Sequence, residues 1–590
     1  MPIVAQSSET TDWVSRFADD VIEESERRAP GKPVVVASGL SPSGPIHLGN
    51  LREVMTPHLV ADEIRRRGYQ VRHLISWDDY DRYRKVPAGI AGVDESWAEH
   101  IGKPLTSVPA PEGSAYPNWA EHFKAAMTEA LAELGVEFDG ISQTAQYTSG
   151  VYRDQILHAM KHRGDIDAIL DQYRTKKAPG KKPQQKAVDE AELEAEEGSG
   201  AAAEDDGSSG SAGYFPYKPY CGGCGKDFTT VTSYDDETTE MTYTCAVESC
   251  GFSETVLLSE FDRGKLVWKV DWPMRWVHEG VVFEPSGVDH SSPGSSFQVG
   301  GQLVGIFGGK QPIGPAYAFV GISGMAKMSS SKGGVPTPSD ALKIMEPQIL
   351  RWLYARRRPN QSFKIAFDQE IQRLYDEWDK LAGKVEDGSA LPGDVAAYTR
   401  AVGTAAGELP KTAHPLPYRT LASVADITAG QRDQALRILG DLDPADPLSS
   451  LDEAAPRYDR AEAWINTQVP ANQRTVVRDE PDTELLGSLD ETSRASLRLL
   501  LDGVDGHWSL DGLTHLVYGV PKVQAGFSAD ATPQELPAEI KTAQRAFFAL
   551  LYRLLVSKDT GPRLPTLLLA VGADRVRRLL GTAAWHTVNS

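Results

Sequence analysis

The stretch Pro33-Val-Val-Val-Ala-Ser-Gly-Leu-Ser-Pro-Ser-Gly-Pro-Ile-His-Leu-Gly-Asn50 decides the fold. It is a short apolar run that ends in glycine, continues through a turn-rich loop, and leads into an amphipathic helix predicted from about Leu48 to Arg67. A second apolar run covers Tyr69 to Trp77. Strand, loop, helix and strand in this order predict a parallel crossover unit. Ligands of such sheets bind beyond the carboxyl ends of the strands, so we expect the chemistry near residues 39–50 and 77–85.

Later segments continue this pattern of helices and strands. Helical periodicity is predicted for Trp119–Leu134 and Val151–Tyr173, and short strands for Leu266–Val270, Val281–Glu284 and Tyr317–Val320. These strands would complete a sheet interrupted by an insertion.

The sequence beyond Asp340 is predicted to be helical. Helical periodicity covers Ala341–Arg357, Phe367–Leu381 and Arg545–Val556, with Pro-rich joints and almost no alternating runs. The C-terminal part is therefore expected to be all-α.

Length and composition exclude several classes of protein. The 590 residues suggest three or four domains, and 41% apolar with 24% charged residues is typical of a globular protein without membrane helices. The first residues lack the basic and apolar regions of a signal peptide, so we expect a cytoplasmic protein without membrane attachment. The net charge of -21 argues against general affinity for nucleic acid, so any such binding needs a local basic face.

One segment is predicted to be disordered. Six basic residues lie between Arg174 and Lys186, nine acidic ones between Asp189 and Asp206, and the run GSSGSAG follows. Such a segment cannot bury enough apolar surface to offset its ordering entropy. We expect a disordered low-complexity insert over residues 174–213.

The segment Ser41–Asn50 is a candidate phosphate site. Backbone N–H groups at a helix N-terminus point toward an anion, Gly49 would let a nucleotide approach closely, and His47 could donate to phosphate oxygens. On its own, His-x-Gly-Asn is also compatible with an ordinary capped helix start.

A second candidate phosphate site lies in Gly324-Met-Ala-Lys-Met-Ser-Ser-Ser-Lys-Gly-Gly334. Lysines on a loop of small residues can place positive charge over a triphosphate and stabilise its transition state. A basic, serine-rich loop is by itself often only a solvated loop.

The two segments together, in this order and at the edge of a predicted α/β sheet, resemble the HIGH and KMSKS signatures of class I aminoacyl-tRNA synthetases. His47–Asn50 matches the first with Leu48 and Asn50 substituted, and Lys327–Ser331 matches the second with serine for its second lysine. Within that class, five segments resemble the class I type of lysyl-tRNA synthetase, and the resemblance extends to Ala546–Pro565 near the end of the chain. The five are Ser38–Asn50, Trp77–Pro87, Gly102–Leu105, Gly287–His290 and Lys327–Gly333.

The resemblance implies an activity and a set of site residues. It implies a lysine–tRNA ligase that uses ATP and Mg²⁺ to activate L-lysine as lysyl-adenylate and transfers the lysyl group to the 3′ end of tRNA(Lys) in protein biosynthesis. Catalytic roles would fall to His47, Asn50, Lys327 and Lys332, with Lys332 supplying the charge that Ser331 lacks. The implied ATP-binding residues are Pro42, Ser43, Gly44, His47, Gly49, Asn50, Gly287, Asp289, His290, Lys327, Met328, Ser329 and Ser330.

The lysine pocket should combine aromatic walls with a carboxylate, because lysine is a cationic group on an apolar stem. By similarity to the family, its lining would be Gly39, Ser41, Trp268, His290 and Tyr317. Asp78, Asp79 and Asp81 follow the second strand, and we expect Asp78 near a lysine ammonium group. For each, a structural role remains the alternative: a tryptophan in the core, or carboxylates that cap a loop.

The four cysteines form one group, Cys221-x2-Cys224-x20-Cys245-x4-Cys250, with glycines in and after each pair. Two close pairs within 30 residues predict a zinc ribbon in which Zn²⁺ has four thiolate ligands and a structural role. Four free buried thiols are the alternative.

The expected fold is a Rossmann-type α/β catalytic domain with a zinc-ribbon insertion, followed by a helical region that ends in an anticodon-binding helix cage. A monomer is expected. The domains would be 1–173 (first catalytic half), 174–213 (insert), 214–262 (zinc ribbon), 263–340 (second catalytic half) and 341–590 (helical linker and anticodon-binding domain). Two rivals remain: an enzyme of the same class that activates glutamate, and a tRNA-binding or regulatory paralogue without aminoacylation.

Overall fold

The structure is a computed structural model that describes residues 12–173, 208–210, 213–288, 290, 294–323, 334–442, 446–532 and 536–581. These residues fall into two compact units. The first is drawn from Met1–Leu342, Pro347–Ala366 and Leu381–Leu409, and the second from Lys343–Glu346, Phe367–Lys380 and Pro410–Ser590.

A parallel sheet organises the first unit. Strands β1 (Val34–Leu40), β2 (Val71–Trp77) and β3 (Asp139–Ser142) lie side by side in the order β1-β2-β3. Helix α2 (Leu51–Arg66) connects β1 to β2, as the crossover pattern predicted. On the other side of β1, Phe283 makes parallel bridges to Val36 and to Ile313, so the predicted segment Val281–Glu284 does contribute to this sheet.

Helices cover the sheet and support the loops at its edge. Helices α1 (Trp13–Arg28) and α3 (Trp119–Glu133) are long, and α4 (Gln143–Thr148), α5 (Arg153–Lys161) and α6 (Arg163–Asp171) are short. Asp12 begins α1 by accepting hydrogen bonds from the Val14 and Ser15 amides, and Asn118 begins α3 in the same way through Glu121 N.

The cysteine segment forms antiparallel strands. β7 (Thr229–Tyr234), β8 (Glu240–Cys245) and β9 (Ser253–Leu257) make one sheet, β6 (Tyr217–Pro219) pairs with β10 (Gly264–Leu266), and β4 (Ser208–Gly210) pairs with β5 (Gly213–Phe215). The end of the segment expected to be disordered therefore contains a strand. The rest of that segment, 174–207 and 211–212, lies outside the described residues.

The strand predicted at Leu266–Val270 is wrong beyond Leu266. Helix α7 (Trp268–Glu279) begins two residues later, and α8 (Ser296–Leu303) follows it. Trp268, Trp272 and Trp276 recur every four residues, which is the period of a helical face rather than of a strand. A strand was predicted in spite of this helical period because Trp and Val are also frequent in strands.

Two short parallel pairs complete the sheet region of the first unit. β11 (Ser286–Gly287) pairs with β12 (Ala316–Tyr317), and β13 (Val320–Ile322) pairs with β14 (Phe363–Ile365). The strand predicted over Tyr317–Val320 is thus two strands, and β14 is a strand in the part of the chain predicted to be all-α.

The remaining described residues are mainly helical. In the predicted helix Ala341–Arg357, Pro347 starts a new helix, because proline lacks the N–H that would continue the first one. Residues 403–404 and 407–408 form a small hairpin, β15 and β16. The helices are α9 (Pro338–Ile344), α10 (Pro347–Ala355), α11 (Glu370–Glu386), α12 (Pro392–Val402), α13 (Tyr418–Thr428), α14 (Arg432–Leu442), α15 (Arg457–Gln468), α16 (Thr483–Ser488), α17 (Glu491–Gly503), α18 (Leu510–Gln524), α19 (Ala538–Val556), α20 (Leu564–Val571) and α21 (Ala573–Leu580).

The second unit has its own apolar core, built by leucines and valines of α17 to α21 together with Leu486 and Val504. Among the described helices, we find none with the length and apolar character that a membrane span requires.

Candidate active site

A cavity of about 200 Å³ opens at the carboxyl ends of β1 and β2, where the sequence predicted the chemistry. It brings together segments that are far apart in the chain. The predicted site residues that line it are Gly39, Ser41, Ser43, Gly44, His47, Asn50, Asp78, Trp268, Gly287 and His290.

His47 is buried and held in one tautomer. Its Nδ1 accepts a hydrogen bond from Gly49 N at 3.0 Å, so Nε2 carries the proton and can donate. Burial lowers the pKa of His47 to about 4, so the ring is neutral near pH 7. The site therefore offers a neutral N–H donor rather than an imidazolium.

Asn50 occupies the N-cap of α2 without using its side chain as a cap. A capping amide would be turned back onto the helix, whereas Asn50 lines the cavity. The helix itself starts at Leu51, slightly later than predicted, because residues 48–50 form a turn.

The three aspartates after β2 have different roles. Asp79 is fully buried and accepts from Thr144 N, Ser142 Oγ and Lys124 Nζ at 2.7 to 3.0 Å, which is the loop-capping role that was the alternative to binding. Asp78 Oδ1 receives Arg275 Nη1 at 2.6 Å, and Asp81 pairs with Lys265. Both line the cavity, but each already has a cationic partner.

A tryptophan wall lines one side of the cavity. Trp268 stacks on Trp272 with ring centroids 5.0 Å apart, and Trp272 and Trp276 both donate their indole N–H to Glu284, at 3.1 and 2.6 Å. Burial raises the pKa of Glu284 to about 7. Sequence reasoning missed Trp272, Trp276 and Glu284, although the four-residue spacing of the tryptophans signalled them.

Glu53 is a fourth residue that sequence reasoning missed. It lies in the first turn of α2 and lines the cavity. Its Oε1 accepts from Gly39 N at 3.2 Å, and its Oε2 accepts from the Tyr317 hydroxyl. Glu53 thus joins Gly39 and Tyr317, two residues predicted to bind lysine. Its position three residues after Asn50 was the available signal, since that spacing points into the same site.

Several predicted residues lie outside the described part of the chain. They are Asp289, Lys327, Met328, Ser329, Ser330 and Lys332. The described chain that follows 324–333 contacts the first signature, since Leu48 N donates to Pro336 O at 3.0 Å. Pro42, Gly49 and Tyr317 are adjacent to lining residues without lining the cavity themselves.

The four cysteines form a compact thiol cluster in which all ligand atoms lie within 4.8 Å of one another. The Sγ atoms of Cys221 and Cys250 are 3.7 Å apart, as are those of Cys224 and Cys245, and none forms a disulfide. Tetrahedral zinc with Zn–S bonds of about 2.3 Å requires sulfur atoms about 3.8 Å apart.

Glycines shape the loops of this cluster. Gly225 and Gly251 have φ of +73° and +55°, a region that favours glycine, and their amides close tight turns onto Cys221 O and Val247 O. A side chain at Gly223 would come within 3.1 Å of Cys250 Sγ. The loops Cys221–Cys224 and Cys245–Cys250 therefore both fit the predicted metal site.

Two groups of arginines, Arg356–Arg358 and Arg575–Arg578, are candidates for the local basic face that RNA binding would need, and several of them have partners within the chain. Arg575 bonds Arg478 O and Asp479, and Arg577 pairs with Asp505 and Asp574. Arg356 stacks on Trp352 at 3.8 Å. Arg356, Arg575 and Arg577 therefore have partners within the chain, whereas Arg357, Arg358 and Arg578 are exposed.

Comparison with known proteins places the chain among tRNA synthetases. Residues 11–404 match the family model described as tRNA synthetases class I (K). A lysine–tRNA ligase of Streptomyces coelicolor is 85% identical over 582 residues, which are 98% of this chain and 100% of that protein.

More distant relatives cover the chain almost as fully. A lysine–tRNA ligase of Thermococcus kodakarensis is 31% identical, over 96% of this chain and 99% of its own length. One of Treponema pallidum is 30% identical, over 96% and 98%. With a family model that spans most of its first unit and relatives that match it from end to end, the chain belongs to the class I (K) family of tRNA synthetases.

Proposed function

We propose that the protein is a lysine–tRNA ligase of class I, which activates L-lysine with ATP and transfers it to tRNA(Lys). The observation that carries this proposal is the cavity at the carboxyl end of the sheet. His47 and Asn50 of the first signature line it together with Gly39, Ser41, Trp268 and Glu53. The 85% identity to a lysine–tRNA ligase over nearly the whole chain supports it independently.

The nucleotide end of the cavity is assigned to the loop after β1. Small residues leave room for phosphates, the first turn of α2 directs N–H groups toward them, and His47 Nε2 donates to a phosphate oxygen as charge builds there. We assign ATP contacts to Pro42, Ser43, Gly44, His47, Gly49, Asn50, Gly287, Asp289 and His290, and to Lys327, Met328, Ser329 and Ser330 of the second signature, with Lys332 as a further source of charge. Mg²⁺ bound with ATP would neutralise part of the triphosphate charge.

The lysine end is assigned to Gly39, Ser41, Trp268, His290 and Tyr317, and we add Glu53 to this set. Asp78 is paired with Arg275, and Glu53 accepts from the Gly39 amide and the Tyr317 hydroxyl while lining the cavity. A lysine ammonium group near Glu53 would form a charge-assisted hydrogen bond, and Trp268 would provide a flat wall. Asp78 then acts through Arg275, which lies over the Trp268 ring at 5.5 Å.

The chemistry needs no nucleophile from the protein. The lysine carboxylate attacks the α-phosphate of ATP, the bond to pyrophosphate breaks, and lysyl-adenylate remains. The terminal ribose hydroxyl of tRNA then attacks the lysyl carbonyl and releases AMP. His47 and Asn50 hold the reactants and stabilise the developing charge, which is positioning and electrostatic catalysis.

The thiol cluster is proposed as a structural zinc site in a zinc-ribbon insertion of a Rossmann-type domain. Four soft thiolates at tetrahedral spacing fit Zn²⁺ and leave no open position for chemistry. Bound zinc would hold the Cys221–Cys224 and Cys245–Cys250 loops together.

We assign the helical second unit to anticodon binding. In this unit Tyr518 is 41% exposed and packs edge-on against Phe548, three residues after the exposed Arg545.

Amino-acid-dependent exchange of pyrophosphate into ATP tests the proposal. We expect exchange with L-lysine, little with L-glutamate, and lysylation of tRNA(Lys) by the same protein. Exchange driven by glutamate instead of lysine would identify the glutamate enzyme. Binding of tRNA without any exchange would identify a paralogue without catalysis, and either result would overturn the assignment.

A further inference from the structure

Arg52 is a buried arginine directly after the first signature, and its guanidinium bonds backbone rather than a carboxylate. It is 2% exposed. Nη1 donates to Ala318 O at 3.1 Å and Gln361 O at 2.8 Å, and Nη2 donates to Arg358 O at 2.7 Å. The guanidinium also lies over the Phe363 ring at 5.2 Å.

Burying a guanidinium group that bonds carbonyls rather than a carboxylate is energetically unfavourable. A buried arginine of this kind therefore indicates a specific structural or functional role. Burial lowers the pKa of Arg52 to about 10, which leaves it charged near pH 7. Its planar fork reaches three carbonyls on two segments at once, which a single ammonium group cannot do with the same geometry.

The three carbonyls belong to the chain that leads into β13 and β14. Ala318 N donates to Pro359 O at 2.9 Å, so these two segments meet next to Arg52. From there the strands run parallel from Val320↔Phe363 to Ile322↔Ile365, and Ser323 N donates to Ile365 O. Residue 324, where the second signature segment begins, follows directly.

The first signature also contacts the chain on the far side of that segment. Leu48 N donates to Pro336 O at 3.0 Å. Leu48 in the turn before α2 and Arg52 in the first turn of α2 therefore contact the described chain after and before the second signature segment, respectively.

We propose that Arg52 is a positioning residue that fixes strands β13 and β14, and with them the described chain up to Ser323, relative to His47. This inference rests on the proposed function and adds a residue to it. Arg52 touches no reactant; it acts through the Ala318, Arg358 and Gln361 carbonyls.

The two half-reactions separate this role from a merely structural one. Only adenylation needs both signature segments around the triphosphate, since pyrophosphate has left before transfer begins. For Arg52→Ala, we expect kcat of lysine-dependent exchange to fall about tenfold to a hundredfold, because a displacement of about 1 Å costs up to that factor. The KM for lysine and the rate of transfer from preformed lysyl-adenylate to tRNA should change less than about threefold.

Arg351 provides a matched control. It too is a buried arginine that bonds carbonyls, namely Leu134 O, Arg400 O and Gly403 O, and it also contacts His58. It lies away from both signature segments in the chain, so Arg351→Ala should lower the melting temperature without favouring either half-reaction. Arg52→Lys keeps the positive charge and replaces Arg52→Ala in these assays if Arg52→Ala folds poorly. For Arg52→Lys we expect a smaller fall in the kcat of exchange, again without a matching fall in the rate of transfer to tRNA.

Chemical rescue gives a second readout. Guanidinium at low millimolar concentration should restore part of the exchange rate of Arg52→Ala, whereas urea of similar shape without charge should not. An equal loss in both half-reactions, as in Arg351→Ala, together with rescue by neither compound, would overturn the inference. Absence of exchange in the wild-type protein would instead overturn the proposed function.

Discussion

At the scale of single residues, burial decides which groups can do chemistry. His47 is kept neutral by burial and oriented by the Gly49 amide. Asp78 and Asp81 are held by cationic partners, and we assign the substrate's ammonium group to Glu53 because it lines the cavity and contacts Gly39 and Tyr317.

His47→Ala should lower the rate of lysine-dependent exchange by about a hundredfold, since it removes a donor that stabilises charge in the transition state. His47→Asn retains a neutral N–H donor and should lose less. The measurement is the single-turnover rate of lysyl-adenylate formation. Because the pKa of His47 is about 4, its titration should leave no inflection in that rate between about pH 6 and 8. Equal rates in wild type and His47→Ala would remove His47 from the site.

Glu53→Gln should raise the KM for lysine about tenfold or more, because a charge-assisted hydrogen bond contributes about 1.5–3 kcal/mol. Tyr317→Phe is the matched control: it removes the hydroxyl donor to Glu53 but keeps the carboxylate, so the KM should rise less. Steady-state exchange at varied lysine concentration measures both. A KM for lysine unchanged in Glu53→Gln would contradict the assignment.

Glu284 should make stability depend on pH. Burial raises its pKa to about 7 from an ordinary value of 4.5, so the native state retains a proton that the unfolded chain releases. The free energy of unfolding should therefore fall as pH rises from about 4.5 to 7, by about 3 kcal/mol from this group, and level off above. In Glu284→Gln this contribution is lost, so the variant should gain stability relative to wild type over that window. Urea unfolding at several pH values measures the difference, and a constant difference would show that Glu284 ionises normally.

At the scale of elements, the candidate active site lies in loops at the carboxyl ends of parallel strands, whereas the thiol cluster lies next to short antiparallel strands. The loops Cys221–Cys224 and Cys245–Cys250 are connected through β7 and β8 and through their own turns. Such a small sheet buries little apolar surface, so its order should depend on the metal.

Cys221→Ser should abolish stoichiometric zinc binding and disorder the insertion. We expect about one zinc per wild-type chain, since the four thiolates complete one tetrahedral site. Charging of tRNA should fall more than adenylate formation, because none of the four cysteines lines the cavity. Metal analysis and the two assays check this; chelated wild-type protein with and without added zinc is the control. Full activity in metal-free protein would contradict the zinc-ribbon proposal.

At the scale of the whole molecule, the first compact unit extends beyond the predicted end of the catalytic domain at residue 340. It includes Pro347–Ala366 and Leu381–Leu409. Arg400 of α12 bonds Asp12 and, at 2.6 Å, Glu63, and β14 pairs with β13. A chain that ends near residue 360 would lose these contacts.

A chain that ends at Leu409 should therefore retain lysine-dependent exchange while losing most discrimination between tRNA(Lys) and an anticodon variant. The reason is that the cavity lies wholly in the first unit, whereas the proposed anticodon surface lies in the second. Exchange and charging of the two RNAs by the truncated and full chains give the comparison. The full-length Tyr518→Ala variant is the control for a local loss of recognition. Unchanged discrimination by the truncated chain would place anticodon recognition elsewhere.

The sequence by itself determined the local features of this protein. The apolar run before Gly39, the helix after Asn50 and the cysteine spacing depend on contacts between near neighbours, and periodicity and motif spacing report those directly. The parallel pairing of β1 with β2 and the convergence of the cysteines follow the predictions.

Only the tertiary structure decided which side chains meet. The pairing of Asp78 with Arg275, the bond from Tyr317 to Glu53 and the reach of Arg52 to Ala318 join residues about 200 or more positions apart. Such partners depend on packing across the whole fold, and no local period records them. The sequence placed Trp268 on a strand, whereas in the folded chain Trp268 lies on α7, stacks on Trp272 and lines the cavity.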